Sequence, residues 1–357
     1  MVSLEQFLVS PDTPIREVVS RIDHNGEGIA LVVDPERRLL GTVTDGDIRR
    51  AILSGTDLNL PIQTVVAQRT APVRPQGLTV PVDTPAPEII RLMNQFSIRH
   101  IPLLDNKGRI ADLALLSNLI KQTDLPVTTV VMAGGYGTRL RPLTHKVPKP
   151  LLPVGKRSIL ELIIRQLKKA GIRDINISTH YKAEKITKHF GNGKAFGVDL
   201  HYINENQPLG TAGALGLMAP SSKPILVING DVLSKVNLRA MLDFHQEHKA
   251  DLTVAVQKYD VQVSYGVIET KGFLVEKLTE KPNYLYFINA GIYLLEPSIH
   301  SLIPKKQHFD MTDLIQKLLD TKRRVVSFPI REYWLDLGNH ADYQKARNDL
   351  ANGELES

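Results

Sequence analysis

Cysteine is absent from the 357 residues of this chain. That excludes a disulfide framework, a thiolate nucleophile and a Cys-ligated zinc or iron–sulfur site, and nothing in the chain asks for an oxidising compartment. Long apolar runs are absent as well. No window reaches the roughly 18 apolar residues of a membrane span, and the N-terminus lacks a charged start followed by an apolar stretch. The expectation is a cytoplasmic protein with no membrane partner. None of the eleven His residues stands in an H-E-x-x-H pair, and no Gly-x-Ser-x-Gly elbow occurs. Zincin-type and serine-hydrolase chemistry therefore have no foothold.

What is present describes a globular chain. Apolar residues make up 42% and charged residues 23%, with 24 Gly and 22 Pro, which removes disorder, collagen-like repeats and coiled coil. At roughly 150 residues per domain, two domains are expected. The composition shifts to match. Up to Asp124 there are 13 basic and 15 acidic residues; beyond it there are 31 and 23. The basic residues are eleven Arg and two Lys in the first stretch and ten Arg and twenty-one Lys in the second. Tyr and Trp do not occur before Pro126. The excess of Lys is scattered without interleaved aromatics, which suits a phosphorylated small molecule and not nucleic acid.

Shifted by 71 positions, the first stretch falls on itself: Thr13-Pro14 on Thr84-Pro85, Glu17 on Glu88, Val18-Val19 on Ile89-Ile90, and Arg38-Leu39 on Arg109-Ile110. An ungapped register of this length marks two copies of one unit in tandem. Each copy opens with Thr-Pro, a helix start in which the hydroxyl caps free amides and Pro takes the first helical position. A short helix, an apolar strand, a polar turn, a second strand and a second helix follow.

This β-α-β-β-α pattern resembles the CBS domain pair over about residues 8–122, in a module assigned to 1–122. The resemblance implies a regulatory and dimerising module, through which the chain would form a homo-oligomer. In that family a Thr/Ser-x-x-Asp holds an adenine nucleotide, the hydroxyl on phosphate and the carboxylate on ribose. Thr44 and Asp47 fit it, whereas Leu115 and Asn118 in the second copy do not. Two readings stay open: a regulatory adenine- or guanine-nucleotide half-site, or an Asp47 that merely caps a helix over 48–53.

Beyond Pro126 a strand-like run over 128–133 enters Gly134-Gly135-Tyr136-Gly137-Thr138-Arg139. Glycines after a strand let backbone amides approach a phosphate with no Cβ in the way. The loop lacks the Gly-Lys-Ser/Thr end of a Walker A motif, and Leu140 stands where a dinucleotide fingerprint needs its third glycine. Arg139 and Lys149 supply cations, and prolines on both sides of Lys149 predict extended backbone. The apolar run 224–229 reads as a strand buried on both faces of a parallel sheet. Asp231 then lies at the edge where open α/β sheets bind ligands. Taken singly, Asp231 also reads as a cap or turn, Gly210 and Gly213 as turns before a helix over 214–218, and Glu280-Lys281-Pro282 as a solvated turn.

Together, Gly-Gly-x-Gly-Thr-Arg-Leu-x-Pro-Leu-Thr (134–144), Pro-Lys-Pro-Leu-Leu-Pro (148–153) and the blocks 209–213, 229–231, 265–269, 280–282, 289–293 and 334–338 resemble the sugar-phosphate nucleotidyltransferases. The resemblance covers most of 127–350, in a domain assigned to 126–357. It implies a Rossmann-like, mixed-sheet α/β domain that moves a nucleoside monophosphate from a nucleoside triphosphate onto a sugar 1-phosphate. Gly134, Gly135, Gly137, Thr138, Arg139, Lys149, Glu205, Gly210 and Thr211 would bind the nucleotide. Gly266, Glu280, Lys281 and Asn289 would face the sugar or its phosphate. Arg139, Lys149 and Asp231 would be catalytic, with Mg²⁺ on Asp231 and Asp336, an ion that suits one or two carboxylates plus substrate phosphates.

Glu205, ahead of Leu209-Gly210-Thr211-Ala212-Gly213, resembles the GTP-using members, and a carboxylate matches the guanine N1–H and N2 amine. With a CBS pair ahead of it, the chain looks most like the bacterial guanylyltransferases of legionaminic acid pathways, in cell-surface glycan synthesis. GTP and glucosamine 1-phosphate are thus the expected substrates, with mannose or heptose 1-phosphate as other acceptors. A donor such as dTTP, UTP or CTP, and a catalytically silent nucleotide-sensing subunit, are the alternatives.

Overall fold

A computed structural model describes residues 4–67, 77–96, 98–119 and 124–355. The chain divides before Asp124 into two compact units. Of the expected domain limits, 1, 122 and 357 lie outside the described residues.

The first unit runs β1 (Leu8–Val9), α1 (Ile15–Asn25), β2 (Ile29–Val33), β3 (Leu39–Thr44), α2 (Asp45–Leu53), α3 (Gln63–Ala67), β4 (Val80–Pro81), α4 (Ala86–Phe96), β5 (His100–Leu104), β6 (Ile110–Leu115) and α5 (Leu116–Leu119). The sheets β1-β2-β3 and β4-β5-β6 share one connectivity, a parallel pair followed by an antiparallel pair. The ladder irregularity between Val32 and Val33 recurs between Leu103 and Leu104, at the same shift of 71. A bulge that follows the sequence period belongs to the repeated unit. Phe7, Leu31 and Leu39 from one copy and Ile110, Leu113 and Leu115 from the other make a shared core.

Helix starts depart from expectation. Pro14, not Thr13, precedes α1, and no side chain caps it. Helix α2 begins at Asp45 rather than 48, with Thr44 as its N-cap. Thr44 Oγ1 accepts from the Asp47 amide at 3.4 Å and Asp47 Oδ2 accepts from the Thr44 amide at 2.8 Å. This reciprocal pair satisfies two amides that the first turn leaves without partners.

The second unit contains β7 (Thr128–Met132), β8 (Pro153–Val154), β9 (Arg157–Ser158), α6 (Ile159–Lys169), β10 (Asp174–Thr179), α7 (Ala183–Phe190), β11 (Asp199–Asn204), α8 (Gly210–Gly213), β12 (Ile225–Asn229) and β13 (Val232–Ser234). It continues with α9 (Leu238–Glu247), β14 (Leu252–Gln262), β15 (Val267–Lys271), β16 (Leu274–Thr279), β17 (Asn283–Leu295), α10 (Met311–Asp320), β18 (Val325–Ile330), β19 (Trp334–Asp336) and α11 (His340–Ala351). Seven strands form one sheet in the order β11-β10-β7-β12-β17-β14-β18. The first four are parallel, β17 runs against both neighbours, and β18 is parallel to β14.

Strand β7 buries both faces. Val130 packs with Val227, Leu252 and Leu314, and Val131 packs on the other side with Ile163, Ile177 and Ile228. Helices therefore cover the sheet on two sides. The parallel strands end side by side, and the segments that follow β11, β10, β7 and β12 build the site. Two local expectations change. Pro148 is extended, but Lys149 opens a 3₁₀ turn, Lys149–Leu151, where Pro150 loses no needed amide. The helix expected over 214–218 is a 3₁₀ turn, Ala214–Leu217, after the short α8, because the Gly213 amide donates 2.8 Å to the Phe309 carbonyl instead of propagating a helix. Among the described residues no helix is long and apolar enough to cross a membrane.

Candidate active site

The loop after β7 is shaped by close approaches. A Cβ at Gly134 would lie 2.9 Å from Glu205 Oε1. Gly137, at φ +63°, would place one 2.9 Å from Thr144 and 3.1 Å from Lys149. Side chains are excluded at both positions, which keeps Lys149 against the loop. Gly135 faces open space. Among the described residues, no backbone carbonyl accepts from the amides of Gly134, Gly135 or Gly137. Donors left without partners at a sheet edge form an anion cradle. Thr138 opens the 3₁₀ turn Thr138–Leu140, which carries Arg139.

On the β12 side stand two carboxylates. Strand β19 pairs with β13 so that Asp336 lies opposite Val232, and the Leu337 amide donates to the Asp231 carbonyl at 3.0 Å. Asp231 and Asp336 are thereby neighbours across two short strands. Lys149 Nζ donates to Asp231 Oδ2 at 2.7 Å, from a side chain that is nearly buried. A Cβ at Gly338 would lie 3.3 Å from Arg139 Nη1 and 3.7 Å from each Asp336 oxygen, so guanidinium and carboxylate converge on one space. Burial first, and Asp231 second, push the Asp336 carboxyl above its ordinary value, while Lys149 and Arg139 pull it back. Asp336 Oδ1 is buried with no hydrogen-bond partner. A partnerless carboxylate oxygen beside a second carboxylate is a donor set for a hard cation. Among the described residues no cluster of three or more His, Cys, Asp or Glu could hold a metal. The pair fits an ion that keeps its waters and takes phosphate oxygens.

On the β10 and β11 side, Glu205 is 9% exposed. Its Oε1 accepts from the Ser178 hydroxyl and its Oε2 accepts from the Leu209 amide at 2.9 Å. Each oxygen keeps a second lone pair. His180, just past β10, bonds through Nδ1 to the Glu205 carbonyl at 2.8 Å and through Nε2 to the Tyr136 hydroxyl at 3.2 Å.

Other expected residues take up supporting positions. Gly210, at φ +80°, would put a Cβ 2.6 Å from Asp310 Oδ1. The Thr211 amide and hydroxyl donate to that oxygen at 2.8 and 3.2 Å, and the hydroxyl accepts from the Met311 amide at 2.8 Å. Thr211 thus ties its loop to the start of α10. Gly266 faces Glu280, whose Oε2 lies 2.9 Å from the place of a Cβ, and Lys281 follows at φ +45°. Asn289 Oδ1 accepts from the Gly291 amide at 3.0 Å, and Gly291 approaches Asn229, two residues before Asp231. Burial pushes up the pKa of the Tyr293 phenol.

Sequence reasoning missed Ser178, His180 and Asp310. The signal for the first two was their place at the end of an apolar strand; Asp310 had none, since its partner is 99 residues away.

In the first unit, Thr44 Oγ1 donates to Asp47 Oδ2 at 2.8 Å, and Arg50 Nη2 donates to Asp47 Oδ1 at 2.6 Å. The groups assigned to a nucleotide are engaged in the helix cap and an ion pair. A cleft of about 660 Å³ opens between the two copies, lined by Phe7 and Glu27 of the first and Asp112, Leu115 and Asn118 of the second among others.

A nucleotidyl transferase family model matches residues 128–353, and a CBS domain model matches 5–54 and 70–122. The chain is 37% identical over 224 residues to a mannose-1-phosphate guanyltransferase of Pichia angusta, covering 60% of this chain and 61% of that protein. It is 33% identical over 237 residues to a mannose-1-phosphate guanylyltransferase of Mycobacterium tuberculosis, covering 64% and 65%. The chain thus spans somewhat under two thirds of the length of these curated relatives. A crystal structure of HddC from Yersinia pseudotuberculosis complexed with GMP-PN superposes with a TM-score of 0.51 at 26% identity, covering 63% of this chain and 99% of that one. The chain belongs to the nucleotidyl transferase family, and it carries a CBS domain pair ahead of that domain.

Proposed function

We propose that the second unit transfers GMP from GTP onto a sugar 1-phosphate and releases pyrophosphate. The observation that carries this reading is the convergence of Arg139, Lys149, Asp231 and Asp336 beside a loop of partnerless amides.

The reaction needs no covalent enzyme intermediate. An oxygen of the sugar phosphate, already anionic, forms a bond to the α-phosphorus. The bond to the β-phosphate bridging oxygen breaks, and its electron pair leaves with pyrophosphate. Catalysis reduces to alignment and to neutralising charge that builds on the leaving group. The amides of Gly134, Gly135 and Gly137, with Thr138 and Arg139, hold the triphosphate. Lys149 exchanges Asp231 for an α-phosphate oxygen. Mg²⁺, when bound at Asp231 and Asp336, supplies charge neutralisation at the reacting phosphates. Glu205 accepts from the guanine N1–H and N2 amine with its remaining lone pairs, and Gly210 shapes the loop beside it.

GTP as donor is supported by relatives whose names specify guanylyl transfer and by likeness to a structure complexed with GMP-PN. Gly266, Glu280, Lys281 and Asn289 receive the acceptor. The CBS fusion favours glucosamine 1-phosphate, as in legionaminic acid pathways, whereas the relatives' names favour mannose 1-phosphate. Pyrophosphate release with GTP against glucosamine, mannose and heptose 1-phosphates separates them; silence with all three, from folded protein, overturns the assignment.

The first unit, in this reading, responds to an adenine or guanine nucleotide and joins copies of the chain in a cytoplasmic homo-oligomer. The engaged Thr44 and Asp47 would have to release their cap partners for that half-site to work. A nucleotide effect on rate of about 5-fold or more is the scale of a real coupling, and light scattering tests assembly.

A further inference from the structure

We propose that Tyr136 is the base platform of the nucleotide site, held by His180 so that its ring stacks on a purine. The inference rests on the donor reading above and adds the residue that separates purine from pyrimidine.

The loop amides follow β7 and Asp231 follows β12, with Asp336 beside it at the end of β19, so in that reading the phosphates lie over that half of the edge. An extended nucleotide reaching away from β12 passes over β10 and then β11, where neighbouring strands add roughly 5 Å each. Tyr136 belongs to the phosphate loop yet turns toward that side. Its ring lies 5.6 Å from His180, edge on, and 5.4 Å from Tyr181, tilted. It is nonetheless 46% exposed. An aromatic ring held by two ring neighbours, with nearly half its surface open, presents area for stacking.

His180 fixes that ring. The Glu205 carbonyl can only accept, so Nδ1 of a neutral His180 carries the proton and Nε2 accepts from the Tyr136 phenol. The chain Tyr136–His180–Glu205 therefore couples the position of the ring to the residue that reads the base edge. Gly134 brings Glu205 and His180 to the foot of the same loop.

Two variants test this, with steady-state kinetics for GTP, ATP, UTP and CTP and direct GTP binding by calorimetry. Tyr136→Ala raises the GTP KM by roughly 5- to 100-fold, the scale of losing one aromatic–base stack, with kcat little changed and the purine-to-pyrimidine ratio of kcat/KM falling. Tyr136→Phe keeps the ring but loses the His180 hydrogen bond, so its GTP KM falls between wild type and Tyr136→Ala. The proposal is overturned if Tyr136→Ala leaves the GTP KM within 2-fold, if kcat alone falls, or if Tyr136→Phe matches Tyr136→Ala. If the wild-type chain turns over no donor, the transfer reading fails by itself. GTP affinity of wild type against Tyr136→Ala then decides the platform independently, equal affinities overturning it.

Discussion

Lys149 and Asp231 form an ion pair of 2.7 Å across the carboxyl ends of parallel strands. A cation suited to phosphate and an anion suited to a metal are thus held against each other, both largely removed from water. The pair keeps two charges compensated that the fold would otherwise bury alone. In the proposed reaction, release from Asp231 frees Lys149 for the α-phosphate.

Replacing Lys149 by Ala should therefore lower turnover by roughly 10²- to 10³-fold, the scale of one lost electrostatic contact in a transition state. GTP binding should weaken far less, because Arg139 and the loop amides remain. Single-turnover rates and GTP affinity measured on the same variant check this. Equal losses in both would assign Lys149 to ground-state binding instead.

Asp336→Asn should abolish turnover yet stabilise the protein in the presence of a chelator at neutral pH. The native carboxyl is raised chiefly by burial and then by Asp231, so its charged form is disfavoured by folding. That penalty is fully present above the raised pKa and fades as pH falls through it. The gain in Tm should accordingly shrink toward acid pH. A lower Tm for the variant at neutral pH would contradict the account.

Glu205→Gln should reduce kcat/KM for GTP much more than for ITP, which lacks the N2 amine. Ser178 and the Leu209 amide also use this carboxylate, so some loss will be common to both donors. The GTP-to-ITP ratio isolates base reading from loop support. An unchanged ratio would remove Glu205 from recognition.

In the first unit, His100 donates from Nε2 to the Glu27 carbonyl at 2.7 Å, and burial lowers its pKa from 6.5 to about 4. The unfolded chain therefore binds the proton first as pH falls. Stability is complete above about 6.5 and is lost progressively toward 4. Protection of the β5 and β6 amides, measured relative to their intrinsic exchange rate at each pH, should fall over that window, and His100→Asn should flatten the dependence. Identical profiles for variant and wild type would refute the assignment.

Much of this architecture is legible from pattern. The repeat emerges because apolar periodicity and turn residues recur without a gap, down to the paired bulges at Val32 and Leu103. The phosphate loop and Asp231 follow from glycines and a carboxylate at the ends of apolar strands. Less legible is whatever depends on distant partners. Thr211 is spent on Asp310, and Glu205 on Ser178. Local competition defeats other expectations: Thr44 begins its helix three residues early because a reciprocal cap with Asp47 is available.

The most direct test of the central claim follows two labels from GTP. With a competent sugar 1-phosphate and Mg²⁺, label from the α-phosphate should appear in a nucleotide-sugar, and label from the γ-phosphate in pyrophosphate. Both should slow by roughly 10²- to 10³-fold in Lys149→Ala. Release of the γ label as inorganic phosphate, or no movement of the α label with any sugar 1-phosphate, would contradict transfer at this site.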